Sequence, residues 1–221
     1  MLVHEQRAPL PVYTVGDDVT HKTEITNLGG GLPAALTAAG NLKTAVLEAL
    51  PAGEAHIGAL GGAIAIVSAE LTRPANTSAY TIGDVVSDST VASTLLTFTG
   101  AARVTGGSGY ITKVRLETNQ STNVAQMRLW LYTINNPTVV ADNVPMTLLY
   151  TNKANRIGYI DIPSCATEMA GSDSAQAQDG TIRFAFRCGA DANLYGLLET
   201  KTAFTPTSNQ KFFVELTVDQ N

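Results

Sequence analysis

The chain has 221 residues, 44% of them hydrophobic and only 15% charged, and its 19 acidic and 14 basic side chains leave a net charge of −5. That length corresponds to one or two domains and is enough to enclose a real core. The mildly acidic balance, with no run of Lys and Arg, excludes the electrostatic footprint of a direct nucleic-acid binder. The most apolar run, Ala59 to Ala69, contains Gly61, Gly62 and Ser68 and stops at Glu70, far short of the roughly 20 residues a membrane span requires.

Residues 1 to about 30 are polar and end in Gly29-Gly30-Gly31, which reads as a tail ordered by a partner surface. Met1 to Arg7 carries Glu5 and no apolar stretch, so it does not read as a secretory signal. Leu32 to Leu50 mixes helix-favouring Ala, Leu, Lys and Glu with the interruption Gly40-Asn41. The alternation of Leu42, Thr44 and Val46 against Lys43, Ala45 and Leu47 favours an extended arm. Pro51-Ala52-Gly53 breaks it, and Ala63 to Thr72 has the composition of a strand. Together these divide the chain into an arm, residues 1–69, and a folded domain, residues 70–221.

The arm is apolar at Leu32, Leu36, Leu42, Val46, Leu47, Leu50, Ile57 and Leu60. These are too many for a solvated tail, and no long sheet of the arm's own accounts for them. They either cover the folded domain or bury against neighbouring chains, as an exchanged strand does.

The next stretch, Glu70 to Ser87, reads as a strand entry. Pro74 fixes its own φ and pushes Arg73 toward extended backbone. Asn76, Thr77 and Ser78 favour a turn, Tyr80 to Ile82 are strand formers, and Gly83-Asp84 marks a turn or bulge before Val85-Val86. From Leu71 onward the reading is all-β. Strands are expected at Tyr80–Ser87, Ser93–Thr99, Gly109–Asn119, Gln126–Ile134, Val144–Tyr150, Ile157–Ile162, Thr181–Arg187, Leu194–Thr200 and Lys211–Val218. Several alternate cleanly: Phe212, Val214, Leu216 and Val218 share one face, as do Ile182, Phe184 and Phe186, and Val114 and Leu116. Period 2 with one apolar face is the pattern of an antiparallel sheet packed on another sheet. Many short strands with loops of unequal length point to a β-sandwich, and within that class to a jelly roll. The longest expected loop, Pro163 to Gly180, is polar and small.

Thr72 to Val86 (Thr-Arg-Pro-Ala-Asn-Thr-Ser-Ala-Tyr-Thr-Ile-Gly-Asp-Val-Val) resembles a segment of structural proteins of tailed bacteriophages. Gly40 to Lys43, running through Glu48 to Gly53 to Ile57-Gly58, looks like the same group. So do Arg128 to Tyr132, Arg156 to Asp161 and Tyr195 to Glu199. None of these is a catalytic signature. The resemblance implies a non-enzymatic virion component, a capsid decoration or cement protein held by its N-terminal arm on the capsid exterior. Its implied partners are its own copies, as a trimer, and the major capsid protein. A glycan- or host-receptor-binding module of a tail or head fibre is the alternative.

Candidate chemistry is sparse. His4, His21 and His56 share no ligand spacing with each other or with a Cys, so no zinc site or catalytic triad is expected. Asp84, Glu117, Asp142, Asp161, Glu199 and Glu215 are candidate acids for glycoside hydrolysis, but their alternation with apolar neighbours reads as solvated strand faces and ion pairs with Arg128, Arg156 or Arg183. Asp173, Asp179 and Asp191 lie in oxygen-rich loops without the spacing of a calcium loop. No cofactor is expected, since the glycine pairs lack the Lys and Ser or Thr of a phosphate cradle. Cys165 and Cys188 leave a disulfide and two buried thiols both open. Trp130 and Tyr132 share one face of a strand whose other face carries Met127, Leu129 and Leu131. A strand apolar on both faces is a central strand whose outer side meets an arm, a loop or another subunit. Leu42, Val46, Leu47, Leu50 and Ile57 of the arm, with Trp130 and Tyr132, are therefore the expected interaction residues.

Overall fold

The computed structural model describes residues 63–122, 125–135, 140–165 and 171–221, together with the backbone of 35–36 and 42–43. The chain divides into two compact units, Met1–Gly58 and Ala59–Asn221. In the first, strands β1 (Ala35–Leu36) and β2 (Leu42–Lys43) pair antiparallel, with Leu36 opposite Leu42. Val46, Leu47, Leu50 and Ile57, the other arm residues expected to make contacts, lie outside the described residues, as do the three histidines.

The second unit is all-β, and its described strands all pair antiparallel. The first sheet contains β3 (Ala63–Thr72), β6 (Ser108–Thr118), β9 (Ala175–Asp179), β10 (Phe184–Arg187) and β12 (Lys211–Gln220). Its order is β10-β6-β12-β3, with β9 beside β10 along the same edge of β6. The second sheet contains β4 (Val85–Val86), β5 (Leu96–Phe98), β7 (Met127–Tyr132), β8 (Arg156–Ile162) and β11 (Leu194–Thr200). Its order is β4-β11-β7-β8, with β5 beside β4 along β11. The sheets pack face to face as a sandwich. Phe212, Val214, Leu216 and Val218 of β12 and Val114 and Leu116 of β6 meet Leu129 and Leu131 of β7, Leu198 of β11 and Phe98 of β5 in one core. The alternation read from β12 and β6 is thus the alternation of the core. Gly196 stands where a Cβ would lie 2.9 Å from Leu129 Cδ1 and 3.0 Å from Phe98 Cε2, so a side chain there would push the core apart.

Four expectations need correction. First, Ala63–Thr72, assigned mostly to the arm by the boundary at residue 69, is the edge strand of the first sheet, paired along its whole length with β12. Second, Val144–Tyr150 is not a strand. Asn143 takes a left-handed φ of 59° and stands with Val144 against the single residue Val85, so the segment follows β4 through only a bridge between Asp84 and Pro145 and three backbone bonds. Third, Pro163–Gly180 is not loop throughout. Ala175–Asp179 forms β9 against β6, with Ala175 and Ala177 buried and Gln176 and Gln178 exposed. Ala and Gln are poor strand formers, and here the neighbouring strand overrides their propensity. Fourth, the strands expected at Tyr80–Ser87, Ser93–Thr99 and Thr181–Arg187 shrink to Val85–Val86, Leu96–Phe98 and Phe184–Arg187. Gly83, at φ 93°, turns the chain between Tyr80, which bridges to Phe204, and β4. Cys165 and Cys188 are free buried thiols, each pushed up to about 11, chiefly by burial.

Candidate functional site: a buried clasp around Arg73, Tyr80 and Asp142

Beyond β3 the chain enters an unusual environment. Arg73 and Asp142 form an ion pair at 2.9 Å with both side chains wholly shielded from solvent. An isolated charge in such a place would be costly to desolvate, so the site has to supply partners. Arg73 has several. Its Nη2 donates to Asp142 Oδ2 and to Asn76 Oδ1, its Nη1 points at the carbonyls of Asn76 and Thr207, and its Nε donates to the Tyr80 hydroxyl. Tyr80 in turn donates to Asp142 Oδ1 at 2.5 Å, and the backbone N–H of Ser87 donates to the same oxygen at 2.9 Å. The carboxylate therefore accepts from three different groups. Burial, and then the hydrogen bond to Asp142, raise the Tyr80 phenol above its ordinary range, so it stays a neutral donor. The Tyr80 ring stacks on Phe204 at 4.8 Å, with the Arg73 guanidinium over its face at 4.6 Å.

Arg73 and Tyr80 come from one stretch of chain and Asp142 from another, and each is anchored to a further segment. The backbone N–H of Arg73 donates to Gln210, that of Tyr80 to Phe204, and that of Asp142 to Ser89. A neighbouring knot adds Asp84, whose Oδ2 accepts from the N–H and hydroxyl of Thr81, and Ser93, which bonds to Ser87 and to the Val140 carbonyl. The clasp thus ties the segment after β3 to the loops around 87–93, 140–142 and 204–210. With its charges sealed and its acceptor positions filled, what it does is hold loops in place.

The loops on either side of Leu95 and Val140 cover the outer face of the second sheet. There Trp130, Tyr132, Tyr195 and Leu197 pack with Val85, Leu95 and Val140 in a second apolar cluster, flanked by Met146. Trp130 is 7% exposed and Tyr132 2%. Trp130 Nε1 donates to Glu199 Oε2 at 2.6 Å and its ring meets the Tyr159 ring edge-on. Of the three covers that sequence allowed for this face, the loops of the same chain are the one seen. Of the five aromatic residues that could form a sugar-stacking platform, Trp130, Tyr132 and Tyr195 are enclosed, whereas Tyr150 and Tyr159 are exposed.

The six candidate carboxylates fall in three neighbourhoods, Asp84 near Asp142, Glu199 and Asp161 on either side of Arg128, and Glu117 with Glu215 at Arg115. Asp84, Asp142 and Glu199 are buried, against the expectation of solvated faces. Asp161 pairs with Arg128 at 2.6 Å, and Glu117 and Glu215 both bind Arg115. The Arg128 hydrogen bond holds the Asp161 carboxyl below the usual range. Asp179 accepts from Thr181, and Asp191 from Asn193 and Tyr195. Among the described residues no group of three His, Cys, Asp or Glu side chains could hold a metal ion, and no helix is long and apolar enough to cross a membrane. Two shallow depressions, of about 430 and 530 Å³, lie on the surface. The first is floored by the paired charges of Arg115 with Glu117 and of Lys211 with Glu70, and the second includes Asp161 and Lys201.

The clasp was half legible in sequence. Arg73, Asn76, Tyr80 and Asp84 all fall within the stretch singled out at Thr72 to Val86, but nothing local identifies Asp142 as the partner, 69 residues from Arg73. Comparison with protein-family models and with curated proteins finds no match.

Proposed function

We propose that this chain is a non-enzymatic structural component of a tailed-phage virion, a capsid decoration or cement protein that acts as an oligomer and attaches through its N-terminal segment to the major capsid protein. One observation carries the reading. In the stretch that resembles phage structural proteins, Arg73 and Tyr80 are committed to a sealed clasp, where they hold loops and meet no cleft. A motif whose arginine and tyrosine serve rigidity is what a particle component requires.

The finer fold assignment, a jelly roll, is supported by the strand order. With β4 and β5 taken as one interrupted strand, and β9 and β10 as another, the sheets read 1-8-3-6 and 2-7-4-5. The first and last strands are neighbours and every crossing between sheets is of the Greek-key kind. Such domains recur in viral shells and in lectins, so the architecture favours binding or assembly without choosing between them.

The test is mass spectrometry of purified virions of a phage encoding this sequence, with electron cryomicroscopy of the same particles. The expected result is the chain in fixed ratio to the major capsid protein, with sandwich-sized density on the outer shell. Its absence from particles, or density confined to a fibre tip together with a positive glycan array, would overturn the decoration role.

A further inference from the structure

Strand β3 ends the first sheet, and among the described residues nothing pairs with its outer side. It is ten residues long, Ala-Ile-Ala-Ile-Val-Ser-Ala-Glu-Leu-Thr. The other edges are blunted. Strands β4, β5, β9 and β10 are two to five residues long, and β8 is broken by a register shift beside Gly158, which sits at φ 148°. A free edge is a template for another chain, and natural edges are normally guarded by Lys, Pro, bulges or brevity. β3 has none of these over residues 63–69. Its one charge is Glu70, already paired at 3.0 Å with Lys211 of β12. Its outward face carries Ile64 and Ile66, which are 75% and 67% exposed.

We infer that β3 is the docking edge for a second copy of this chain, the two β3 strands pairing antiparallel about a twofold axis so that Ile64 of each copy lies opposite Ile66 of the other. The sequence of the strand selects this occupant. A twofold axis perpendicular to the sheet pairs residues of the same parity, so outward side chains meet outward side chains. Centring it on Ala65 brings four isoleucines together on one face and sets Ala63 opposite Val67. Residues 63–67 carry no charge, so no like charges face each other, and the two Glu70–Lys211 pairs fall at opposite ends of the shared ladder. Each copy adds backbone hydrogen bonds that its own edge lacks and shields apolar surface that a lone copy leaves in water. The inference rests on the edge itself and stands apart from the virion reading.

The test uses the full chain. Light scattering at about 100 µM is expected to give the mass of two chains. Ile66→Lys, which points outward and leaves the core untouched, is expected to weaken the association at least about tenfold while the melting temperature stays within a few degrees. Under mild oxidation an equal mixture of Ile64→Cys and Ile66→Cys chains is expected to form a disulfide-linked dimer, because those positions lie directly opposite, and neither variant alone is expected to do so. A single-chain mass at that concentration, a three-chain mass, unchanged association in Ile66→Lys, or no cross-link in the mixture would each overturn the pairing.

Discussion

Strand β7 buries both faces, by different means. Its inner side chains, Met127, Leu129 and Leu131, meet the opposite sheet in a core built from eight or more strands. Its outer side chains, Trp130 and Tyr132, are covered by loops, around Leu95 and Val140, that have no ladder of their own on that side. Core packing between sheets follows from alternation and needs nothing else. A loop cover needs something to hold it down, and the Arg73–Asp142 clasp occupies that position: Asp142 is two residues from Val140, and Ser87 is two from Val85. The first sheet shows the opposite solution. Its outer face stays in water behind paired charges such as Arg115 with Glu215 and Lys211 with Glu70, and needs no clasp.

The contrast can be broken most forcefully at the clasp. Asp142→Ala strands the Arg73 guanidinium, buried and unpaired, and is expected to cost about 3–5 kcal/mol in urea unfolding. Hydrogen exchange is expected to rise first in the loops at 87–95 and 140–146. Replacing both charges, as Arg73→Met with Asp142→Leu, should recover part of that loss. A single Asp142→Ala cost below about 1 kcal/mol would show that the loops hold themselves. Next comes the inner face against the outer. Leu129→Ala leaves a cavity walled by two rigid sheets and is expected to cost about 2–5 kcal/mol, whereas Leu197→Ala lies under loops that can settle and belongs near 2 kcal/mol. Equal costs would mean that the loop cover is as rigid as the opposing sheet.

A smaller effect is expected for Trp130→Phe, which keeps most of the ring and removes the donor to Glu199. The loss should be about 1–2 kcal/mol, read in the same unfolding assay. Smallest is Asp161→Asn, which cuts an ion pair whose carboxylate is 56% exposed and is therefore limited to roughly 0.2–1 kcal/mol at low salt. Its sign with pH is fixed. Arg128 lowers the folded carboxyl below its unfolded value, so the pair stabilises at neutral pH and that contribution is lost as pH falls through the lowered folded value. The difference between the two proteins should be present at pH 7 and should shrink as pH falls through that lowered value.

Much of the inner core could be read directly. Phe212, Val214, Leu216 and Val218 alternate without interruption, and all four are sealed, because a long central strand leaves its inner residues no other place. The double-sided burial of Trp130 and Tyr132 was also legible as a fact, though not the identity of the cover. Local pattern failed where a neighbour decided the outcome. Ala175–Asp179 is a strand only because β6 offers it a ladder, and Val144–Tyr150 fails as one because the left-handed turn at Asn143 sets both Asn143 and Val144 against Val85 and the pairing ends after Met146.

By itself, then, the sequence determined the class: the two-residue period and the turn residues between runs leave few alternatives to antiparallel sheets packed face to face. It also marked the arginine-to-aspartate stretch as something apart. Tertiary structure alone decided that Arg73 finds Asp142, that loops close over the second sheet, and that Ala63–Thr72 is, among the described residues, the edge strand of the first sheet and not part of an arm. Each of these is a pairing between residues far apart in the chain. Short-range propensity is set by a residue's own side chain and its near neighbours, whereas a buried charge or a free strand edge is defined by what the rest of the chain brings, or fails to bring, beside it.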